Sequence, residues 1–421
     1  MRKQVVTILL TALAALPGLI VRVSGLELQP PVMALLSGIS ILAASFVLLW
    51  ACDAAQSEVS QAVALAVVAL IAVLPEYSVD MYFTWQAGKY PASNYAHYAI
   101  ANMTGANRLL IGVAWALIAT LFWLRFRRDV ELEDSRRMEL FFLGLATAYA
   151  FLIPLKGTLA WYDGVVFLGI YVWYLVVAAR RPVEEVEPEG PAELFARLPK
   201  TQRRLAILAA FLFAGCAILA SAEPFCEGLV ATGKMFRINE FLLVQWLAPL
   251  ASEAPEFTVA LVFAWRGQAS MALGSLLSAK LNQWTLLVGM IPGAFAISHG
   301  TLEHPLPMSS GQMSELLLTA AQSLFAVVLL AGLRLSIGNA ILLFGLFIGQ
   351  FILPLFSPMF PGLAFGLDAR QIHPVFSIVY CAVAAALFLQ QPKQVLKLAG
   401  GWESDTEKSE QFSEEEIAVL R

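Results

Sequence analysis

The chain has 421 residues, 59% of them hydrophobic and 14% charged, against about 25% charged in a soluble domain, and its mean hydropathy is +0.72. That balance excludes a soluble globular protein. The formal net charge of -4, with no basic face interleaved with aromatics, gives no reason to expect nucleic acid.

Twelve apolar runs are each long enough to be membrane helices. The first, roughly 4–23, follows Arg2 and Lys3. Small residues at Ala12-Leu13-Ala14 suit a signal peptide, but Arg22 close past the end favours a retained helix. Runs at roughly 31–54, 62–85 and 95–124 come next, ending in the loop Arg125-Phe126-Arg127-Arg128, whose three cations mark a cytoplasmic side. Runs at roughly 137–155 and 161–179 lead into 180–204, where Arg180, Arg181, Arg197, Lys200, Arg203 and Arg204 surround a Glu/Pro/Gly-rich stretch. This reads as a solvated cytoplasmic linker. The second half offers 205–225, 240–265, 271–297, 315–333, 337–356 and 375–390, and the polar tail after Lys393 is expected to be disordered. The four cysteines, Cys52, Cys216, Cys226 and Cys381, form no C-x-x-C pair and read as small core residues.

If every run crosses, the charged loops at 125–128, 180–204 and after 393 share one side, and both termini lie in the cytoplasm. The expected protein is an all-α polytopic membrane protein of about 12 spans in the cell membrane. Its parts are an extra N-terminal helix (1–30), a first repeat (31–180), the linker (181–204), a second repeat (205–358), an extra C-terminal span (359–392) and a tail (393–421). Parity sends the helix of Glu76 outward and that of Glu256 inward. Two inverted halves, a 5+5 core, are the arrangement of many secondary transporters.

The halves can be laid over one another around Leu74-Pro75-Glu76 and Ala254-Pro255-Glu256. Proline breaks a helix by freeing the carbonyl four residues back, and a carboxylate at bilayer depth is costly unless it works. Each copy is therefore expected to be a broken helix, followed by a glycine-containing loop (Gly88; Gly267). A polar small-residue helix comes after it, Ala101-Asn102-Met103-Thr104-Gly105-Ala106-Asn107 in one half and Gly274-Ser275-Leu276-Leu277-Ser278-Ala279-Lys280 in the other. Helical spacing puts Glu76 with Asp80 and Glu253 with Glu256, gathers Ser275, Ser278 and Asn282 on one stripe with Gln283 on its flank, and sets Asn102 with Gly105. Together with Ser252 and Asn107, these oxygens form a candidate set for a hard cation, which takes several carboxylate, amide, hydroxyl and carbonyl ligands. Arg108 and Lys280 lie inside apolar runs and require partners. Paired with the four acids, they would leave a net charge of -2.

This pattern resembles the cation/calcium exchangers, whose two inverted alpha repeats carry Gly-[Ser/Thr]-Ser-x-Pro-Glu and then Gly-Asn-x-x-Gly-Ser-Asn. The resemblance covers roughly 33–124 and 205–297. It implies that Glu76 and Glu256 are the central ion ligands and that Gln283 stands where the second repeat has an acidic or amide ligand. Asn102 and Gly105 match the first repeat, and Ser275 takes the Asn position of the second. The sequence departs from the pattern at Ala72-Val73, Ser252-Glu253, Ala106-Asn107 and Ala279-Lys280. The extra first helix is similar to that of the proton-coupled branch.

The expected function is antiport of Ca2+ or another cation against Na+ or H+ by alternating access. Its partners are inorganic cations and the bilayer, and no cofactor beyond the transported ion is expected. Two alternatives stand beside it: a membrane hydrolase using His299, Glu303 and His304, and a transport-inactive member of the exchanger family. No nucleophile elbow, Walker loop or dinucleotide fingerprint is present.

Overall fold

The computed structural model describes residues 2–56, 58, 69–180, 190–357 and 366–400. Its principal helices are α1 (Arg2–Ala14), α2 (Leu16–Ser24), α3 (Pro30–Gln56), α4 (Leu74–Lys89), α5 (Tyr95–Leu109), α6 (Ala116–Phe126), α7 (Arg137–Ala150) and α8 (Trp161–Ala178). They continue with α9 (Lys200–Phe236), α10 (Glu240–Trp265), α11 (Ala269–Asn282), α12 (Val288–His299), α13 (Ser310–Leu330), α14 (Ile337–Phe356), α15 (Ala369–Gln390) and α16 (Pro392–Leu398). Among the described residues ten helical stretches are long and apolar enough to cross a membrane. The other two expected spans are the 62–85 run, partly outside the described residues, of which α4 is the visible part, and the polar run α11–α12.

Several boundaries differ from expectation for local reasons. α9 does not stop near 225 but carries Pro224 inside it and continues to Phe236, because one proline removes a single ladder bond and the flanking apolar residues still pack. α13 begins at Ser310, five residues before the expected start, where Ser309 and Gln312 close a capping box. The stretch after Lys393 is not all irregular: α16 covers its beginning, and residues 401–421 lie outside the described ones.

The chain forms two compact units. The first comprises Met1–Ala106, Pro182–Glu256 and Gly293–Leu306. Its core joins α3, α4, α5, α9 and α10 through Ile41, Val79, Phe83, Ala101, Phe225, Leu229, Val244 and Ala248. Small residues let backbones approach, as membrane helices require: the Gly18 amide donates to Ser40 Oγ at 2.7 Å, and Gly228 lies against the backbone of Ala34. Glu58 pairs with both Arg203 and Arg204, and Gln4 Nε2 donates to Gly190 O at 2.9 Å. Thus the chain start, residue 58 and the end of the linker share one end of this unit. At the other end Ser298 Oγ donates to Trp85 O and His299 Nδ1 meets Gly88 O. α4 therefore runs away from the Glu58 end. α9 leaves that end too, so α10, which follows it, runs back toward it.

The second unit comprises Asn107–Arg181, Phe257–Pro292 and Pro307–Arg421. α13 packs on α15 and α7, and α14 packs on α6. Strands Val130–Glu131 and Arg334–Leu335 pair antiparallel with Val130 opposite Leu335. Arg125 Nη1 donates to Trp265 O at 2.6 Å and Gln391 Nε2 to Val328 O at 2.8 Å. These loops follow the fourth, eighth, tenth and twelfth runs and gather at one end, as strict alternation requires. At the opposite end Met308 N donates to Gly157 O.

Candidate cation site

In the first repeat the proline acts as expected. The chain is helical over Ala69–Ala72, breaks at Val73 (φ -90°, ψ 5°), and restarts as α4 with Pro75 and Glu76 in the first turn. Proline fits there because its missing N–H would have had no partner, and the free amides and dipole of a helix start favour a carboxylate. The second copy is not broken. α10 runs continuously through Pro249 and Pro255. Proline at 249 deprives Gln245 O of its ladder donor, and Gly105 of α5 lies against that carbonyl, where an added Cβ would stand 1.9 Å from it. The two helix stretches bearing polar motifs thus meet backbone to backbone.

Six candidates belong to the first unit: Glu76, Asp80, Asn102, Ser252, Glu253 and Glu256. All except Glu256, which is partly exposed, are buried. Glu76, Asp80 and Thr84 follow at four-residue spacing along one face of α4. Asp80, Thr84 and Asn102 are buried polar side chains on this face, and the Asn102 amide stands close enough to Asp80 to bond its carboxylate. Buried polar groups are costly to desolvate, and this face gathers two carboxylates and a hydroxyl from α4 and an amide from α5. Ser252 spends its hydroxyl proton on Ala248 O and Pro249 O, which leaves its lone pairs free to accept.

The other five lie in the second unit: Asn107, Ser275, Ser278, Asn282 and Gln283. The expected stripe divides. Ser275 is exposed and bonds Ala272 O, Ser278 is half-buried and bonds Gly274 O, and Asn282 is buried, its amide donating to Tyr171 OH at 3.3 Å. Gln283 opens a π-helical turn, Gln283–Leu287, and a second such turn, Leu110–Trp115, follows α5. π-turns cluster at functional sites, and nothing in the sequence announced them.

Each of the two buried cations has a partner outside the four acids of the expected set. Arg108 pairs with Glu315 of α13, an acid outside the expected set, and His373 Nδ1 lies 3.0 Å from the other oxygen of Glu315. Lys280 Nζ donates to Asn107 Oδ1 at 2.6 Å and sits 4.3 Å from the centre of the Trp284 ring. Glu227 was also missed: its Oε1 accepts from Tyr82 at 2.7 Å and Tyr95 at 2.6 Å. The Ser309/Gln312 capping box was the available signal for Glu315. Among the described residues no three His, Cys, Asp or Glu side chains converge to hold a metal ion, so a cation's shell here must draw on amide, hydroxyl and backbone oxygens as well. His299 stacks on Phe295 and meets Gly88 O.

The model of the sodium/calcium exchanger protein family matches residues 29–180 and 206–356, one segment on each side of the basic linker. The chain belongs to this family. Its fold is the inverted-repeat helical transporter fold. It is similar to a solved H+/Ca2+ exchanger, CAX, at 40% identity and a TM-score of 0.88, covering 95% of this chain and 98% of that one. A structure of the sodium-calcium exchanger NCX_Mj soaked with Na+ and Sr2+ matches at 21% identity and a TM-score of 0.51, covering 76% and 97%, and shares the fold. The candidate antiporter CaxA of Alkalimonas amylolytica is 24% identical over 237 residues, 54% of this chain and 68% of that protein. As a member of this exchanger family the protein is a multi-pass secondary transporter that moves cations, and the hydrolase reading of His299, Glu303 and His304 is set aside.

Proposed function

We propose that the protein exchanges Ca2+ for H+, with Glu76 and Glu256 as the central acids and with Asp80, Asn102, Ser252 and Glu253 supplying further oxygens from the first unit. Asn107, Ser275, Ser278, Asn282 and Gln283 are the candidates from the second. The observation that carries this reading is the buried face of α4, where Glu76, Asp80 and Thr84 line up and Asn102 of α5 stands against Asp80. Proton coupling is favoured by the similarity to the H+/Ca2+ exchanger over nearly the whole chain. A carboxylate oxygen cannot hold a proton and coordinate a cation with the same lone pair, so the two ligands compete for one set of groups. That competition, presented alternately to the two sides, is sufficient for antiport. The cations of the loops and linker support a cytoplasmic side for the Glu58 end of the first unit, with both termini inside.

In proteoliposomes, an imposed pH gradient should drive Ca2+ uptake and a Na+ gradient at fixed pH should not. Glu76→Gln and Glu256→Gln should each reduce uptake at least tenfold. Uptake driven by Na+ alone would remove the proton coupling, and unchanged uptake in both variants would remove the acids from the site.

A further inference from the structure

Asn107 and Lys280 occupy corresponding places in the two repeats, the last residues of the aligned stretches 101–107 and 274–280. The structure supports that register independently: each is followed, three residues later, by the first residue of a π-turn, Leu110 in one repeat and Gln283 in the other. Both residues are fully buried, and they bond to each other, Nζ to Oδ1 at 2.6 Å. Corresponding residues of two inverted repeats can touch only beside the axis that relates the repeats. On that axis one partner offers an amide oxygen and the other an ammonium.

We propose that Lys280 is a tethered cation, filling permanently a coordination place that a free monovalent ion would otherwise take, and that it thereby excludes Na+ from this exchanger. The contacts are those an alkali ion seeks. An ammonium is a compact point charge, here held by an amide oxygen and by the π face of Trp284 at 4.3 Å, within cation–π range. With Asn107 Oδ1 engaged, that candidate ligand is withdrawn from mobile ions. The fixed charge also lies within a turn of Ser278 and Gln283, where it repels a second cation. The geometry explains why a basic residue is kept in a membrane helix next to its candidate ligands, where an isolated charge is costly.

The proposal rests on the cation-exchange reading, but its test reads binding without transport. Purified full-length protein is unfolded thermally in detergent while Na+ replaces choline at constant ionic strength. The wild type and Lys280→Arg, which keeps the charge, should show no Na+-specific shift. Lys280→Met, and Lys280→Asn, which gives two facing amides, should rise by about 2–4 °C, because an ion that binds only the folded state stabilises it. Recovery of the neutral variants only when Na+ is present throughout purification would also support the proposal. An equal Na+ response in all four proteins, including none, overturns it. Failure to recover either neutral variant with or without Na+ overturns it too, since Lys280 would then be a structural tie. A flux experiment that showed no Ca2+/H+ exchange would leave these melting results standing.

Discussion

At the scale of single residues, Arg108 and Glu315 show how this chain accommodates charge at bilayer depth. Both are almost fully buried. Separating such ions from water is costly, and their mutual attraction offsets this only when each keeps its partner. His373, about one-fifth exposed, lies on the second oxygen of Glu315, and Gln322 Nε2 donates to the Arg108 carbonyl, so the pair sits within a larger polar contact set. Removing one member should be far worse than removing both. Glu315→Leu or Arg108→Met alone is expected to destabilise by about 3–5 kcal/mol, and the double variant should recover most of that loss. Thermal midpoints in detergent, compared across the four proteins of the cycle, check this. A double variant no more stable than the worse single one would show that the pair is not the stabilising unit.

At the scale of helices, what the sequence makes legible depends on how sharply it marks where each element begins and ends. Composition and run length were enough for the spans, and the paired Pro-Glu motifs were enough to locate the inverted repeats, because both signals survive a shift of several residues. Glu227 lies just outside the apolar run 205–225, and Glu315 stands at the very start of the run 315–333, where an acid reads as an interfacial end residue. α9 continues past Pro224 and α13 starts at a capping box before its first apolar residue. The asymmetry between a broken first repeat and a continuous α10 was equally invisible, since one proline sits at a helix start and the other inside a helix, and the dipeptide is the same in both. Gly105 gives this packing a measurable form. A methyl there would collide with Gln245 O, so Gly105→Ala should destabilise by about 1–3 kcal/mol by forcing α5 from α10. Gly169 of α8 has nothing within 4 Å of the same position, and Gly169→Ala should be neutral or stabilising by about 0.5–1 kcal/mol through the lower cost of ordering alanine. Equal effects at both positions would refute the close approach.

At the scale of the whole molecule, the inverted arrangement follows from strict alternation of the spans, and alternation leaves a record in the loops. In the second unit the loops bearing Asp129 and Arg334 are joined by an ion pair of 2.6 Å and by paired strands, so a reagent confined to one side of the membrane must reach both or neither. The backbone bond from Met308 to Gly157 ties another pair of loops at the opposite end of that unit. Of the native thiols Cys52 and Cys226 are buried, while Cys216 and Cys381 lie within apolar helices, where an impermeant charged maleimide has no access. Single cysteines replacing Asp129 and Arg334 should therefore label from one face of intact cells or oriented vesicles, and cysteines replacing Gly157 and the exposed Pro307 from the other. Labelling of all four from the same face would require two of the spans between them not to cross. The halves would then lose their opposed orientation, and with it the means of offering one set of acids to each side of the membrane in turn.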